Sequence, residues 1–209
     1  MILQDFYKES YSEAISKLFL KGIKRYKSKA LFLDRDGVLI EDVGYIDTVD
    51  KVKLCPNVIP FLEKARQKDF DLIVLTNQSS VSRGIITYER YVSITEAFLS
   101  KLPKNLYPQC ICASFHLPEN SNNLPLFNWR KPGRGMFEYI LNRQGYNGFE
   151  SIMIGDKLTD LLPAYELKLN KIYYVNSKLH KTEIEKITTW NKKHSDLIKV
   201  IEFLDPNYL

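Results

Sequence analysis

The chain has 209 residues, of which 44% are hydrophobic and 26% are charged, and its formal net charge is +5. This is the balance of a globular protein, and at this length about 70% of the unfolded surface can be buried. The three cysteines, Cys55, Cys110 and Cys112, exclude the disulfide framework of a secreted protein, so we expect a cytoplasmic location. The positive charge suits small phosphate esters as well as nucleic acids and does not choose between them.

Charged residues interrupt the first thirty positions, which excludes an apolar run of signal-peptide or membrane-spanning length. From Phe6 to Ile23, apolar residues recur at three- and four-residue steps, and this spacing predicts an amphipathic helix. We expect the helix to pack on the domain, with a dimer contact or a partner surface as the alternative. We assign residues 1–29 to this helix and the basic linker Lys24 to Lys29, and residues 30–209 to one domain that is a monomer or a weak dimer.

Short apolar runs and helical patterns then alternate along the chain. The strands are predicted at Ala30 to Leu33, Leu72 to Leu75, Gln109 to Ser114, Ser151 to Ile154 and Lys171 to Val175. Helices are predicted at Val58 to Lys68, at Tyr88 to Lys101, after Pro132-Gly133 and from Leu158. This alternation predicts an α/β fold, a Rossmann-like three-layer α/β/α sandwich with a mostly parallel sheet.

The rest of the chain gives weaker signals. The segment Lys181 to Lys193 carries mixed charges and is predicted to be a solvated surface. His180 and His194 lie in polar, lysine-rich surroundings, so we expect them to be exposed and not catalytic.

Polar residues stand where each predicted strand ends, which is the edge at which open α/β sheets bind their ligands. They are Asp34 and Asp36, then Thr76 and Asn77, then Arg130 and Lys131 after a long loop, and last Gly155, Asp156 and Asp160. Taken alone, an acidic pair at a strand end often only caps a turn. Acids that can hold a metal, with a hydroxyl and an ammonium that can hold an anion, together predict a phosphoryl-transfer site.

Each group has a chemical task in such a site. Asp34 is placed to attack phosphorus and form an aspartyl-phosphate, and Asp36 to protonate the leaving oxygen and then activate water. A carboxylate and a phosphate dianion repel each other, so we expect Mg²⁺ between them, held by Asp34, Asp156 and the Asp36 carbonyl. Thr76 and Lys131 are expected to bind the phosphate oxygens.

These segments resemble the four motifs of the haloacid dehalogenase superfamily: Asp34-Arg35-Asp36-Gly37-Val38, Thr76-Asn77-Gln78-Ser79, Lys131, and Gly155-Asp156-Lys157-Leu158-Thr159-Asp160. Within it, further features resemble the D-glycero-D-manno-heptose 1,7-bisphosphate phosphatase and histidinol-phosphatase subfamily. That likeness rests on Gly44-Tyr45-Ile46, Ser82-Arg83-Gly84, Arg130-Lys131-Pro132 and Gly135-Met136.

The resemblance implies a fold without a large cap domain and a role for each motif residue. It makes Asp34 the nucleophile, Asp36 the acid/base and Asp156 a Mg²⁺ ligand, with Asp160 supporting the metal-bound waters. Thr76, Asn77 and Lys131 become phosphate ligands. Arg83 and Arg130 become substrate contacts, because a guanidinium offers a fork of donors.

The chain departs from the subfamily in the loop that usually holds Zn²⁺ with Cys-x-His and Cys-x-Cys. The corresponding positions read Ser114-Phe115-His116 and Phe127-Asn128-Trp129, so only His116 remains. A tetrahedral site needs four ligands, and Cys110 and Cys112 are expected to face the core, so we expect no structural zinc. Apolar packing by Phe115, Leu117, Leu124, Leu126, Phe127 and Trp129 is the expected replacement.

Three hypotheses follow for the function. The first is hydrolysis of a small sugar phosphate, with heptose 1,7-bisphosphate of lipopolysaccharide precursor synthesis as the best single example. The second is hydrolysis of histidinol phosphate or of nucleic-acid 3′-phosphate ends, although we do not expect nucleic acid or a membrane as a partner. The third is a non-catalytic binding module, for which the loss of an acid would be the signature, and no acid is lost here.

Overall fold

The computed structural model describes residues 28–117, 128–176 and 181–209. The predicted helix from Phe6 to Ile23, Leu124, Leu126, Phe127 and His180 lie outside the described residues. Six strands are described: β1 (Lys29–Leu33), β2 (Phe70–Asn77), β3 (Cys110–Ser114), β4 (Ile152–Gly155), β5 (Lys171–Val175) and β6 (Ile198–Ile201). The five strands predicted from the sequence are all confirmed, most of them within one or two residues of their bounds.

The six strands form one parallel sheet in the order β3-β2-β1-β4-β5-β6. Strand β1 is central, and its Leu31 pairs with Leu72 of β2 on one side and with Ile152 of β4 on the other. The chain order reverses between β1 and β4, and in open α/β sheets such a reversal opens a crevice beyond the carboxyl ends of the strands. The groups that follow β1 and β4 therefore meet in this crevice.

Helices cover both faces of the sheet. Their bounds are α1 (Val58–Gln67), α2 (Ser79–Ser82), α3 (Tyr88–Ser100), α4 (Gly135–Gln144), α5 (Leu158–Glu166) and α6 (Lys181–Lys193). Short 3₁₀ turns lie at Val49–Lys51, Lys104–Leu106, Gly148–Glu150 and Pro206–Tyr208. Neighbouring residues of a strand point to opposite faces of the sheet, as Leu31 and Phe32 of β1 do, so both faces are apolar. Helices α1 and α3 pack on the face of Leu31, and α4, α5 and α6 pack on the face of Phe32. The predicted three-layer α/β/α sandwich is confirmed.

The carboxyl-terminal part of the chain differs from its prediction. Lys181–Lys193 is helix α6, whose charged outer face is solvated as predicted, but whose Ile187 is fully buried against the sheet. The buried Asn191 amide bonds the backbone N–H and carbonyl of Ile198 at 3.1 and 2.7 Å, which ties α6 to β6. His194 is half-buried, not exposed, because its ring stacks on Trp190 at 3.9 Å between centroids.

Among the described residues, no helix has both the length and the apolar character needed to cross a bilayer. The described segments between the strands hold at most two helices and short turns each, with no large cap domain.

Candidate active site

Three buried carboxylates meet at the carboxyl ends of β1 and β4. Asp34 directly follows β1, and its backbone N–H donates to the carbonyl of Ile154 at 3.0 Å, which fixes the two strand ends side by side. Asp156 directly follows β4, and Asp160 lies in the first turn of α5. One carboxylate oxygen from each of these three acids lies within 4.8 Å of the others. The structure thus brings together Asp34, Asp156 and Asp160, as their positions after the strands predicted.

Two glycines make room for the acids. Gly37 has a φ of +89°, and a Cβ added there would lie 2.2 Å from Asp156 Oδ2. A Cβ on Gly155 would lie 2.5 Å from the Cβ of Asp160. Side chains at these two positions would therefore displace the carboxylates, and the left-handed backbone of Gly37 would add strain.

Lys131 is the cation at the centre of the cluster. Its side chain is fully buried, and its ammonium lies 2.6 Å from Asp34 Oδ1, 2.9 Å from Asp160 Oδ1 and 2.7 Å from the carbonyl of Leu75. Burial alone would lower the pKa of Lys131, but the carboxylates of Asp160 and Asp34 outweigh it and raise the pKa. Lys131 is therefore a permanent positive charge in the crevice.

Asn77, at the end of β2, fixes the backbone of Lys131. Its Nδ2 donates to the Lys131 carbonyl at 3.0 Å, and its Oδ1 accepts from the Lys131 N–H at 3.1 Å. The sequence predicted a phosphate ligand here, and direct contact of Asn77 with phosphate stays a prediction. Since both ends of the amide are engaged with Lys131, the geometry favours a positioning role.

Asp34 and Asp156 resist ionisation in this arrangement. Burial raises the pKa of Asp156 to about 9, with the negative charges of Asp160 and Asp34 adding to the effect. Burial also raises the pKa of Asp34 to about 6, because it outweighs the opposing charge of Lys131. The nearby ammonium groups thus do not offset the burial of these two acids.

Asp36 lies apart from this cluster and is held by two residues that the sequence interpretation did not single out. Arg35 donates from Nε to Asp36 Oδ1 at 2.9 Å and from Nη2 to Oδ2 at 3.1 Å. Gln78 Nε2 donates to the same Oδ2 at 2.6 Å and to Thr76 Oγ1 at 2.8 Å. No sequence pattern distinguishes these contacts, because they depend on side-chain directions after an irregular turn.

Lys157 places a second cation at the rim, and it too was not predicted. Its ammonium lies 3.3 Å from Asp42 Oδ2 and 3.5 Å from Asp156 Oδ2, and about a third of its side chain is exposed, 35%. Burial would lower the pKa of Lys157, but Asp156 and the neighbouring acids raise it above its ordinary value. Its position directly after Asp156 is the only signal that could have pointed to it.

The remaining predicted substrate residues differ in burial. Thr76 is buried at the end of β2, whereas Arg83 is exposed at the end of α2. Arg130 is half-buried and donates from Nη1 to the carbonyl of His116 at 3.0 Å, which joins the two ends of the segment 116–130. Their contacts with substrate stay predictions.

Aromatic packing borders the same segment. The Phe115 ring lies 5.0 Å from Tyr91 and the Trp129 ring 5.6 Å from Tyr139, between centroids, and Trp129 Nε1 donates to the Ala113 carbonyl. These contacts agree with the expected apolar replacement for a zinc site, as far as Phe115 and Trp129 are concerned. Cys110 and Cys112 are buried in the core, as predicted.

The acidic cluster has the chemistry that a magnesium ion requires. Mg²⁺ prefers hard oxygen ligands and is commonly held by one or two carboxylates together with substrate oxygens and water. Asp34, Asp156 and Asp160 offer buried carboxylate oxygens within 4.8 Å of one another, and Gly37 leaves the approach to Asp156 open. The described residues therefore fit a divalent cation.

Family models match most of the chain. Residues 30–160 match the model described as polynucleotide kinase 3 phosphatase, and residues 128–199 match a HAD-hydrolase-like model. The first match contains Asp34, Asp36, Thr76, Lys131 and Asp156, and the second spans the segment from Asn128 through β5 to β6.

Curated relatives are phosphatases of similar length. The chain is 30% identical over 174 residues to D-glycero-beta-D-manno-heptose-1,7-bisphosphate 7-phosphatase of Haemophilus ducreyi, covering 81% of this chain and 92% of the relative. It is 30% identical to the Escherichia coli K12 enzyme of the same name, covering 77% of this chain and 86% of that one.

Solved structures share the fold. The D,D-heptose 1,7-bisphosphate phosphatase of B. bronchiseptica, complexed with magnesium and phosphate, superposes with a TM-score of 0.68 at 22% identity, covering 84% of this chain and 93% of that one. A putative HAD-like phosphatase from Mesorhizobium loti gives 0.63 at 25% identity, covering 76% and 77%. Together with the family models and the curated relatives, these matches identify the chain as a phosphatase of the haloacid dehalogenase superfamily, in the group of the heptose bisphosphate phosphatases.

Proposed function

We propose that the chain is a Mg²⁺-dependent phosphomonoesterase that acts through an aspartyl-phosphate on Asp34. The observation that carries this proposal is the contact of Asp34 with Lys131 at 2.6 Å, beside Asp156 and Asp160, in the crevice where the strand order reverses. A carboxylate held by a buried ammonium, with further acids for a cation, suits attack on a phosphate.

Each site residue has its own role in the proposed reaction. Asp34 attacks phosphorus, and as the bond to the leaving oxygen breaks, Asp36 donates a proton to that oxygen. Asp36 then takes a proton from the water that cleaves the aspartyl-phosphate. Lys131 neutralises part of the charge that spreads over the phosphate oxygens, and Thr76 donates a hydrogen bond to them. Asn77 holds Lys131 in place.

The metal site is proposed at the same three acids. Asp34 and Asp156 would hold Mg²⁺ together with the Asp36 carbonyl, and Asp160 would orient its waters. When bound, the ion supplies positive charge between the Asp34 carboxylate and the phosphate. Support comes from the raised pKa values of Asp156 and Asp34 and from the magnesium and phosphate in the structure of the B. bronchiseptica enzyme.

A small sugar phosphate is the proposed substrate, with D-glycero-D-manno-heptose 1,7-bisphosphate as the best single candidate. The curated relatives that support it carry this substrate in their names, for both the beta and the alpha anomer. Arg130, half-buried at the crevice, is proposed to contact sugar hydroxyls or the second phosphate. Heptose-containing glycan precursor synthesis is the corresponding process.

The test is phosphate release from a panel of esters with Mg²⁺. The panel contains both anomers of the heptose bisphosphate, histidinol phosphate and a 3′-phosphorylated oligonucleotide. We expect the highest kcat/KM on a heptose bisphosphate and loss of activity in Asp34→Asn, which keeps the shape of the side chain but removes the nucleophile. Full activity of Asp34→Asn would overturn the mechanism, and equal rates on all esters would overturn the substrate.

A second candidate is a nucleic-acid 3′-phosphatase, because residues 30–160 match the polynucleotide kinase 3 phosphatase model and the chain carries a net charge of +5. Binding through phosphate contacts weakens steeply as salt rises. DNA that competes with the ester substrate at low salt and loses this effect at high salt would favour the second candidate.

A further inference from the structure

We propose that Arg35 and Gln78 are positioning residues that fix the orientation of the side chain of Asp36, the proposed acid/base. This inference rests on the proposed function, in which Asp36 is the acid/base. It assigns a role to two residues that touch Asp36 and act on the reaction only through it.

The contacts of Asp36 fix both of its oxygens. Oδ1 accepts from Arg35 Nε at 2.9 Å, while Oδ2 accepts from Arg35 Nη2 at 3.1 Å and from Gln78 Nε2 at 2.6 Å. A fork of two parallel bonds from a guanidinium sets the plane and the direction of a carboxylate, which a single bond cannot do. Since 22% of the Asp36 side chain is exposed, these donors, and not close packing, determine its orientation.

Arg35 is itself held rigidly. Its side chain is only 2% exposed, its guanidinium lies over the Tyr91 ring at 5.7 Å, and its backbone carbonyl accepts from the N–H groups of Leu39 and Ile40 at 2.9 and 3.0 Å. Side chains of adjacent residues point to opposite sides of a regular strand, so a two-bond contact between Arg35 and Asp36 needs the turn that these backbone bonds form. The turn after β1 therefore brings the side chains of Arg35 and Asp36 together.

A stabilising role alone does not account for this arginine. Removing a guanidinium from water is costly, and an apolar side chain at position 35 could pack on Tyr91 without that cost. Gln78 joins the same network to the proposed phosphate ligand, because its Nε2 also donates to Thr76 Oγ1 at 2.8 Å. The network therefore sets the acid/base and the phosphate site relative to each other.

The role predicts a dependence on the leaving group. A sugar alkoxide is a poor leaving group and needs the proton of Asp36 as its bond to phosphorus breaks and the bond to Asp34 forms. p-Nitrophenolate leaves without that proton. Misplacing a proton donor should therefore slow alkyl phosphates far more than p-nitrophenyl phosphate.

The experiment compares kcat on p-nitrophenyl phosphate with kcat on the best alkyl phosphate of the panel. The variants are Arg35→Gln, Arg35→Lys and Gln78→Leu, with Asp36→Asn as the reference and the exposed Arg90→Gln as a control for lost positive charge. We expect Arg35→Gln to lower kcat on the alkyl ester about 10- to 100-fold, and on p-nitrophenyl phosphate less than about 3-fold, with KM nearly unchanged. Arg35→Lys should recover part of the loss, since an ammonium can keep one contact.

Gln78→Leu tests the inference independently if Arg35→Gln fails to fold, because it leaves the arginine in place. Equal losses on both esters, or no loss, in the folded variants would overturn the positioning role. If Asp36→Asn is selective between the esters and these variants are not, only this inference fails. If Asp36→Asn is not selective either, the acid/base assignment of the proposed function fails with it.

Discussion

Asp156 should make the metal-free protein less stable as the pH rises. Its pKa is raised from an ordinary value of 3.8 to about 9, by burial first and by Asp160 and Asp34 second. Between these two values the folded protein holds a proton that the unfolded chain has released. The free energy of unfolding therefore falls by about 1.4 kcal/mol per pH unit across this window on account of this one group.

Asp156→Asn removes the titration and keeps the shape of the side chain. Its stability relative to the unmodified protein should therefore grow by about 3 kcal/mol from pH 6 to pH 8, which for a chain of this size corresponds to roughly 6–12 °C in Tm. The measurement is thermal unfolding in EDTA at several pH values. The exposed Asp50→Asn is the matched control, because it removes a negative charge outside the cluster.

Mg²⁺ should reverse the order of the two proteins. The unmodified protein should gain Tm with Mg²⁺, and gain more at pH 8 than at pH 6, because the ion must displace the proton of Asp156. Asp156→Asn should gain little at either pH. A difference in Tm between the two proteins that stays constant with pH in EDTA would refute the reasoning, since it would mean that burial does not oppose the charge of Asp156.

Three further predictions concern other contacts. Gly37→Ala places a Cβ 2.2 Å from Asp156 Oδ2, so we expect it to lose activity and Mg²⁺-dependent thermal stabilisation while its circular dichroism spectrum stays unchanged. Gly44→Ala is the control, because Gly44 has a similar φ of +87° but lies in open space, and it should keep the activity and the stabilisation. Asn77→Leu removes both hydrogen bonds to the Lys131 backbone and should lower kcat on p-nitrophenyl phosphate by roughly 10- to 100-fold. An unchanged kcat would show that Lys131 keeps its position without these two hydrogen bonds. Asn191→Leu leaves the buried N–H and carbonyl of Ile198 without their side-chain partner. It should lower the free energy of unfolding, measured in urea, by about 2–4 kcal/mol and leave kcat unchanged. A smaller loss of stability would mean that water replaces the amide.

The central strands could be predicted because they are buried on both faces. Ala30 to Leu33 of β1 are each at most 1% exposed, so the sequence reads as an unbroken apolar run. Strand β6 gives no such signal, since Lys199 and Val200 in its middle are exposed at the edge of the sheet. Helix α6 could not be predicted for a similar reason, because its fully buried Ile187 is surrounded in sequence by charged residues of the exposed face.

The acids of the site and Lys131 could be predicted as site residues, whereas the hydrogen bonds that hold Lys131 and Asp36 in place could not. Parallel strands end at one edge of the sheet, so Asp34 and Asp156 had to be near each other whatever their rotamers. The bonds of Asn77 to Lys131 join residues 54 positions apart and depend on side-chain direction. The Arg35 fork depends on an irregular turn, which a pattern of residue types does not specify.

The charge of the site has the opposite sign to the charge of the chain. Fully ionised, Asp34, Asp156 and Asp160 against the buried ammonium of Lys131 give 1 − 3 = −2, and the rim pair of Lys157 and Asp42 adds no net charge. The whole chain, in contrast, carries +5. A phosphate dianion would be repelled by such a pocket, and protonation of Asp156 relieves only one of the two charges. One divalent cation would cancel both charges, and the crevice would then no longer repel the phosphate that Lys131 and Lys157 can attract. The net charge of the chain therefore says little about the anion that the crevice would bind, and the proposed cation would make the acidic cluster compatible with a phosphate substrate.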